Sequence, residues 1–189
     1  MSGIVEDVLP SGGEGGHAVD VAALRRLVRD VPDFPQPGIL FRDITPLLSN
    51  GAAFRTAVDA LAAAHRGVET VVAIESRGFI LGAPVAYALG VGMVPVRKPG
   101  KLPRATTSAD YALEYGTNTL QVHRDAVTPT QRVLIVDDVL ATGGTAAATI
   151  SLIQELGAEV AGVAVLIELS ALGGRARLGD VPLVSLISY

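Results

Sequence analysis

The sequence contains no cysteine and no tryptophan, and aromatic residues make up only 4% of its 189 residues. Without cysteine the chain can form no disulfide, no thiolate nucleophile and no cysteine-ligated zinc or iron–sulfur centre. No apolar run approaches the roughly 20 residues that span a bilayer. Arg25 is the first Lys or Arg, so the charged segment of a signal peptide is not visible. We therefore expect a cytoplasmic protein with an aliphatic core and no membrane partner.

The charge and the apolar content of the chain further limit the class of protein it can be. The chain has 15 Lys and Arg against 19 Asp and Glu, a formal charge of −4 that argues against a general nucleic-acid binder. Apolar residues make up 49% of the chain, which excludes disorder, and the length fits one domain. Residues 1–18 are rich in glycine and show no sustained periodicity. We expect a flexible tail there and a single domain over residues 19–189.

The apolar pattern predicts strands that alternate with helices. A first helix is expected to begin at Asp20 as N-cap, with an apolar stripe that extends to Val31. An antiparallel pair is expected around Gly116. Strands that are apolar on both faces, alternating with helices, indicate an α/β fold with a mostly parallel, helix-covered central sheet. The predicted strands are 71–74, 93–96, 133–136 and 160–167, and the further helices are 52–65, 79–89 and 145–156.

The strongest functional motif is VLIVDDVLATGGT, at residues 133–145. A buried strand ends there in Asp137 and Asp138 and continues through small residues into a helix. Small residues let backbone N–H groups close around an anion at the positive end of the helix dipole, which favours a phosphate site. The segment is not a P-loop, because GxxxxGK[ST] is absent from the chain. Adjacent carboxylates suit the two hydroxyls of a ribose or a hydrated Mg²⁺, and the alternative is that they only cap the helix.

This motif resembles the signature of the phosphoribosyltransferases that use phosphoribosyl pyrophosphate: four apolar residues, two acidic, two apolar, then a small-Thr-Gly-Gly-Thr loop. The resemblance implies that Asp137 and Asp138 contact the ribose hydroxyls, and Mg²⁺ mostly indirectly, through ribose or water. It also implies a 5′-phosphate loop, formed by Ala141, Thr142, Gly143, Gly144 and Thr145.

A second segment, ESRG at residues 75–78, follows the predicted strand 71–74 and leads into a helix. By resemblance this is the pyrophosphate loop, with Ser76 and Arg77 as its ligands. In isolation the pattern also fits an ordinary surface arginine after a serine N-cap.

A third segment, RKPGKLPR at residues 97–104, carries four of the 15 positive charges, where an even spread would give about 0.6. Lys98 and Lys101 are the only lysines in the chain. A departing polyanion needs its charge neutralised, so we expect Arg97, Lys98 and Lys101 to act on pyrophosphate, with Lys101 as a catalytic residue. We expect the loop 97–115 to be mobile without ligand and to close over substrate. The alternative is a flexible surface loop or an RNA-contacting patch.

Two more segments, FPQPGILFRDI at 34–44 and YALEYG at 111–116, resemble the adenine-specific branch of the family. With them the resemblance extends from Asp20 to Tyr189 and implies a small N-terminal hood over the base site. It implies that Leu40 and Arg42 present backbone groups to adenine while Phe41 and Val139 form apolar walls. The alternative for 39–44 is a plain buried strand.

The hypoxanthine–guanine enzymes of the family resemble the 5′-phosphate loop but carry an aspartate, next to the base, where Ala141 stands. The acceptor for the purine proton must then come from elsewhere, and Glu114 is the best candidate, with Tyr115 beside the substrate. His17, His65 and His123 lie outside every motif and are weaker candidates.

The expected activity is transfer of 5-phosphoribose from phosphoribosyl pyrophosphate to adenine, giving AMP and pyrophosphate, with Mg²⁺ as cofactor. The resemblance also implies a homodimer in which the Arg97–Lys101 region lies near the neighbouring subunit. One alternative is a phosphoribosyltransferase for xanthine, hypoxanthine, guanine or orotate. The other is a non-catalytic regulator that senses phosphoribosyl pyrophosphate and binds nucleic acid, although residues 1–18 are too short and glycine-rich for a DNA-reading module.

Overall fold

The computed structural model describes residues 19–112 and 117–189. The helices are α1 (Val21–Arg26), α2 (Thr45–Ser49), α3 (Gly51–Ala63), α4 (Arg77–Leu89) and α5 (Gly144–Glu155). The strands are β1 (Arg29–Pro32), β2 (Leu40–Asp43), β3 (Thr70–Ile74), β4 (Gly92–Val96), β5 (Thr106–Ala112), β6 (Thr117–His123), β7 (Arg132–Leu140), β8 (Glu159–Glu168) and β9 (Leu183–Ser188). Two short 3-10 helices, Ser170–Leu172 and Gly174–Leu178, join β8 to β9.

The centre of the fold is a five-stranded parallel sheet in the order β4-β3-β7-β8-β9. All of β3 and residues 133–136 of β7 are buried, because α3 and α4 cover one face and α5 covers the other. This double covering explains why these strands are apolar on both faces. The predicted α/β class and parallel sheet are confirmed. Among the described residues, none of the helices has the length and apolar character needed to cross a membrane.

The N-terminal region differs from the predicted helix. Asp20 is the N-cap, and its Oδ1 accepts from the backbone N of Ala23 at 2.9 Å, but α1 ends at Arg26 rather than near Val31. Residues 29–32 instead form β1, which pairs antiparallel with β2. The prediction of a longer helix was wrong because long-range pairing with β2 outweighs the local apolar period. We refer to this β1–β2 hairpin as the hood, and its place over a base site stays a prediction.

Strands β5 and β6 confirm the antiparallel pair expected around Gly116, which itself lies outside the described residues, and the pair is longer than expected. Seven residue pairs join the strands, from Thr106 with His123 to Ala112 with Thr117. Ala109 and Tyr111 pack against the core beside α5. The prediction of one loop from 97 to 115 was therefore wrong for residues 106–112, because these side chains reach the core and the backbone finds a strand partner. The predicted tail (1–18), Glu114 and Tyr115 lie outside the described residues.

Candidate active site

Two carboxylates stand near the end of β7, where the chain leaves the buried part of the sheet. Asp138 is 5% exposed and Asp137 is half-buried. The backbone N of Asp138 donates to Asp137 Oδ1 at 2.9 Å. Burial raises the pKa of Asp137 well above its usual range, and the neighbouring Asp138 carboxylate raises it further. Burial also raises the pKa of Asp138, against the opposing effect of Arg77. The free site therefore holds acidic groups that disfavour their own charge, an arrangement common at functional sites.

Arg77 connects this acidic pair to α4. Its Nε lies 2.8 Å from Asp138 Oδ2, but the N–H does not point at that oxygen, so the contact is an ion pair rather than a hydrogen bond. Gly78 lets the first turn of α4 come this close to β7. A Cβ there would lie 2.9 Å from Asp137 Oδ1 and 3.0 Å from the Val136 carbonyl oxygen. Arg77 is thus held in the site by the packing of α4.

The loop after β7 encloses a small cavity of about 70 Å³ at the start of α5. The N-cap of α5 is Gly143, which has φ 81° and gives no side-chain cap hydrogen bond. Helix capping by Asp137 or Asp138 is therefore excluded, because their positions precede the cap by five residues or more. The cavity lies at the positive end of the α5 dipole, which favours an anion. Its lining residues are Asp137, Val139, Leu140, Ala141, Thr142, Gly143, Gly144, Thr145, Ala146 and Val165.

The hood places an aromatic side chain beside Arg77. The Phe41 ring centroid lies 4.9 Å from the guanidinium carbon of Arg77, and Phe34 packs edge-on against Phe41 at 5.0 Å. Leu40 is 47% exposed, so the alternative of a buried strand over 39–44 was wrong. The Arg42 side chain contacts the Tyr189 ring and forms an ion pair with Asp30. Within the described residues β2 pairs only with β1, which leaves its other edge without a strand partner.

The basic segment is anchored to Glu75, which follows β3. Lys101 Nζ lies 2.6 Å from Glu75 Oε1, Arg97 Nε lies 3.2 Å from Oε2, and the backbone N of Lys98 donates to Oε2 at 3.0 Å. Only 8% of the Glu75 side chain is exposed. Burial alone would raise its pKa, but the hydrogen bonds from Lys101 and Lys98 lower it below its usual value. Glu75 thus pairs with the side chains of two of the four cations of the segment, Arg97 and Lys101, whereas Arg104 pairs with Asp125.

Sequence reasoning missed two acidic residues. Glu75 stood in the quoted motif without a role, and Glu168 was not considered. Each stands at the carboxyl end of a buried strand, as Asp137 does. An acidic residue directly after an apolar run is a pattern from which both could have been predicted. His65, by contrast, packs against Gly162, about six residues before the carboxyl end of β8, so it lies well away from the site. His17 lies outside the described residues, and His123 ends β6.

The Asp137–Asp138 pair fits Mg²⁺ only in a site where a bound substrate supplies further ligands to the ion. Over residues 19–112 and 117–189, no three His, Cys, Asp or Glu side chains form a metal-binding cluster. Mg²⁺ usually keeps several waters and takes one or two carboxylates together with substrate phosphates. Asp138 Oδ2 is buried and accepts no hydrogen bond from the described residues. The donor set therefore suits Mg²⁺ that arrives with a phosphate-bearing ligand, and not an ion held by protein alone.

Comparison with known proteins agrees with this arrangement. The family model of the phosphoribosyl transferase domain matches residues 47–184. An adenine phosphoribosyltransferase of Nocardioides sp. is 60% identical over 180 residues, which cover 92% of this chain and 97% of the relative. One of Roseiflexus sp. is 58% identical over 168 residues, covering 88% of this chain and 98% of the relative.

Solved structures give the same result. The crystal structure of adenine phosphoribosyltransferase from Thermoanaerobacter pseudethanolicus has a TM-score of 0.87 at 48% identity and covers 89% of this chain and 99% of that one. The enzyme from Saccharomyces cerevisiae, complexed with an imino-altritol bisphosphate and adenine, has a TM-score of 0.83 at 38% identity and covers 88% of this chain and 97% of that one. The chain therefore belongs to the phosphoribosyltransferase family and, within it, to the adenine phosphoribosyltransferases.

Proposed function

We propose that this protein transfers 5-phosphoribose from phosphoribosyl pyrophosphate to adenine, forming AMP and pyrophosphate in purine salvage. One observation carries the proposal: a carboxylate pair, a cation, a loop that encloses a cavity at the N-terminus of α5 and an aromatic side chain of the hood converge at the carboxyl edge of β3 and β7. Ligands of open α/β sheets bind at this edge. The yeast relative, which was solved with adenine and a bisphosphate, supports the same use of the site.

The ribose 5-phosphate half of the substrate fits the β7–α5 segment. The 5′-phosphate would occupy the loop formed by Ala141, Thr142, Gly143, Gly144 and Thr145, whose cavity of about 70 Å³ has room for a small anion. Asp137 and Asp138 would accept hydrogen bonds from the ribose hydroxyls. Mg²⁺, when bound, would neutralise charge on the pyrophosphate and ribose oxygens, held by these carboxylates mostly through ribose or water. A nearby cation favours the charged carboxylates that the free site disfavours.

Adenine would bind between the hood and β7. Its edge offers a donor amine beside an acceptor nitrogen, which the backbone of Leu40 and Arg42 can complement. Among residues 19–112 and 117–189, no strand pairs with the second edge of β2, so such groups are available there. Phe41 and Val139 would supply apolar walls. Ala141 adds no carboxylate near the base, so the purine proton needs another acceptor.

Pyrophosphate would leave toward the cations. The N9 atom of adenine forms a bond to ribose C1 as the bond from C1 to pyrophosphate breaks, through a transition state with positive charge on the ribose ring. Ser76, Arg77, Arg97, Lys98 and Lys101 would bind the leaving group. Lys101 is already placed by Glu75 in the free protein. Glu114 would accept the purine proton and Tyr115 would lie beside the substrate; both assignments remain proposals from the resemblance.

The exposed apolar face of α4 and β4 favours a homodimer. Ile80, Tyr87 and Met93 are exposed there, with Tyr87 at 89%, and β4 is an edge strand of the central sheet. Large exposed apolar side chains next to a strand edge favour burial against another chain. A second copy of this chain is the proposed partner, with the Arg97–Lys101 region close to it. The expected cytoplasmic location and the boundary between tail and domain stay predictions.

The test is a base-specificity assay. Adenine, hypoxanthine, guanine, xanthine and orotate are each incubated with phosphoribosyl pyrophosphate and Mg²⁺, and the nucleotide product is identified. The proposal predicts AMP from adenine at a far higher kcat/KM than any other nucleotide. Turnover of another base instead would support the alternative substrates. Binding of phosphoribosyl pyrophosphate with no turnover of any base would support the regulator.

A further inference from the structure

The phosphate loop rests directly on the backbone of the segment between β8 and β9. A Cβ on Gly174 would collide with the Ala141 carbonyl oxygen and come within 2.8 Å of the Gly143 backbone N. A Cβ on Gly143 would in turn collide with the Gly174 carbonyl oxygen. Two backbones can approach this closely only where neither residue carries a side chain. The shape of the loop over 141–143 therefore depends on where Gly174 lies.

Gly174 is held in place by the residue that follows it. Arg175 Nε donates to Glu168 Oε1 at 3.0 Å, and Nη2 donates to Oε2 at 2.6 Å, a two-pronged ion pair. Glu168 ends β8 with only 8% of its side chain exposed, and Ser185 Oγ donates to the same Oε2 at 2.8 Å. The hydrogen bond from Arg175 lowers the pKa of Glu168 below its usual value. A fork of this kind fixes direction as well as distance.

We propose that Arg175 is a positioning residue for the phosphate loop, acting through Gly174. Its ion pair with Glu168 clamps the Gly174 backbone against residues 141–143 and so fixes the loop in the shape that receives the 5′-phosphate. Neither Arg175 nor Glu168 lines the loop cavity, so their effect on ligand passes through the backbone contact. This inference rests on the proposed function, because it assigns a 5′-phosphate to that cavity.

The clamp matters because an anion site built from backbone N–H groups depends on the path of the chain. Displacing such donors by a fraction of an ångström weakens every hydrogen bond to the phosphate. Pyrophosphate, by contrast, would bind the cations near Glu75, on the other side of β7 from this clamp in the order β3-β7-β8. The affinity for ribose 5-phosphate thus reports on the phosphate loop, and the affinity for pyrophosphate reports on the cations near Glu75.

The experiment compares ribose 5-phosphate and inorganic pyrophosphate by calorimetric titration on the full chain. The variants are Arg175→Met, which keeps the length of the side chain without its fork, and Arg175→Lys, which keeps the charge. We expect Arg175→Met to lower the affinity for ribose 5-phosphate about tenfold or more. Its affinity for pyrophosphate should stay within about twofold of that of the parent. Arg175→Lys should recover part of the loss. More than half of the Arg175 side chain is exposed, so both variants should fold.

A glycine pair supplies the matched control. Gly174→Ala pushes a methyl group into the loop, whereas Gly173→Ala adds the same group where nothing lies within 4 Å. Gly173 has φ 65°, so its variant loses stability through backbone strain alone. We expect Gly173→Ala to lower the melting temperature yet keep the affinity for ribose 5-phosphate, and Gly174→Ala to lose that affinity.

Three results would overturn the positioning role. Equal weakening of both ligands in Arg175→Met, together with a lower melting temperature, would make Arg175 merely structural. Unchanged affinity for both ligands in Arg175→Met would give it no part in binding. Equal losses in Gly173→Ala and Gly174→Ala would trace the effect to stability. Absence of ribose 5-phosphate binding in the parent would contradict the proposed function itself, before any variant is compared.

Discussion

At the scale of single residues, the surroundings of Asp137 and Glu75 shift the pKa values of these two carboxyl groups in opposite directions. The charged form of Asp137 is disfavoured because the side chain is desolvated and lies beside Asp138. The charged form of Glu75 is favoured, because this buried carboxylate has three donors around it. Replacing each carboxylate by its neutral amide should therefore change the stability of the free protein in opposite directions. Functional sites often hold a group such as Asp137 in an unfavourable state at the expense of stability.

For Asp137→Asn we expect a gain in stability at neutral pH and a loss of turnover. The folded-state pKa lies above the ordinary 3.8, so the folded protein holds a proton that the unfolded chain releases. Stability of the parent therefore falls as pH rises from about 3.8 through the raised pKa. The variant does not lose this stability, because asparagine does not titrate. Thermal melts across pH should show the variant more stable at pH 7 and equal to the parent at low pH. Asp59→Asn, at an exposed helix position, is the control, and a less stable Asp137→Asn would contradict the account.

For Glu75→Gln we expect the reverse. The folded-state pKa lies below the ordinary 4.5, so the stabilisation is present above that value and disappears as pH falls below it. Loss of the buried acceptor of Lys101 and Arg97 should cost about 1–3 kcal/mol at pH 7. Glu159→Gln, which removes an exposed ion pair with Arg132, should change little. A difference between Glu75→Gln and the parent that stays constant from pH 7 to pH 3 would count against the ion-pair cluster.

At the scale of elements, the hood is fastened to the sheet through one aromatic ring. The guanidinium carbons of Arg42, in β2, and Arg25, in α1, lie 3.7 Å and 4.3 Å from the centroid of the Tyr189 ring. Arg25 Nη1 also donates to the Ser188 carbonyl oxygen at 3.3 Å. Tyr189 follows β9, so the ring joins β2 to the central sheet.

Tyr189→Leu should loosen the hood and raise the KM for adenine more than the KM for phosphoribosyl pyrophosphate. A cation–π contact is worth about 0.5–2 kcal/mol, so the KM for adenine should rise roughly 2- to 30-fold. Tyr189→Phe keeps the ring and should behave like the parent. Steady-state kinetics with each substrate varied in turn gives the two KM values. Equal rises for adenine and phosphoribosyl pyrophosphate in Tyr189→Leu would mean that the ring stabilises the whole fold and not the hood.

The elements that the sequence predicted best are those whose local pattern and tertiary role agree. The run from Val133 to Thr145 has an unbroken apolar strand, two carboxylates and a glycine turn, and each feature is used in the fold. The end of α1 was misplaced because the hood pairing is long-range, and no periodicity within residues 21–31 encodes it. The clamp of Arg175 on Glu168 was missed for the same reason, since its importance comes from a backbone contact with a loop about 30 residues earlier.

At the scale of the whole molecule, the apolar face on α4 and β4 should decide the assembly. We expect the parent to sediment as a dimer and Tyr87→Asp to shift it toward monomer, because a charge would replace the most exposed large side chain of this face. Gln154→Asp, at an exposed position of α5 on the opposite side of the sheet, should remain dimeric. A monomeric parent, or a Tyr87→Asp protein that sediments like the parent, would remove this face from the dimer.

The proposed activity requires that the carboxylates near the end of β7 hold the ribose of the substrate. The most direct test is kcat/KM for AMP formation from adenine and phosphoribosyl pyrophosphate by the parent and by Asp138→Asn, with circular dichroism and thermal melts to establish that both are folded. Loss of one charge-assisted hydrogen bond to a ribose hydroxyl should cost about 1.5–3 kcal/mol, a fall of roughly 10- to 150-fold in kcat/KM. A folded Asp138→Asn protein that makes AMP as well as the parent would contradict the assignment.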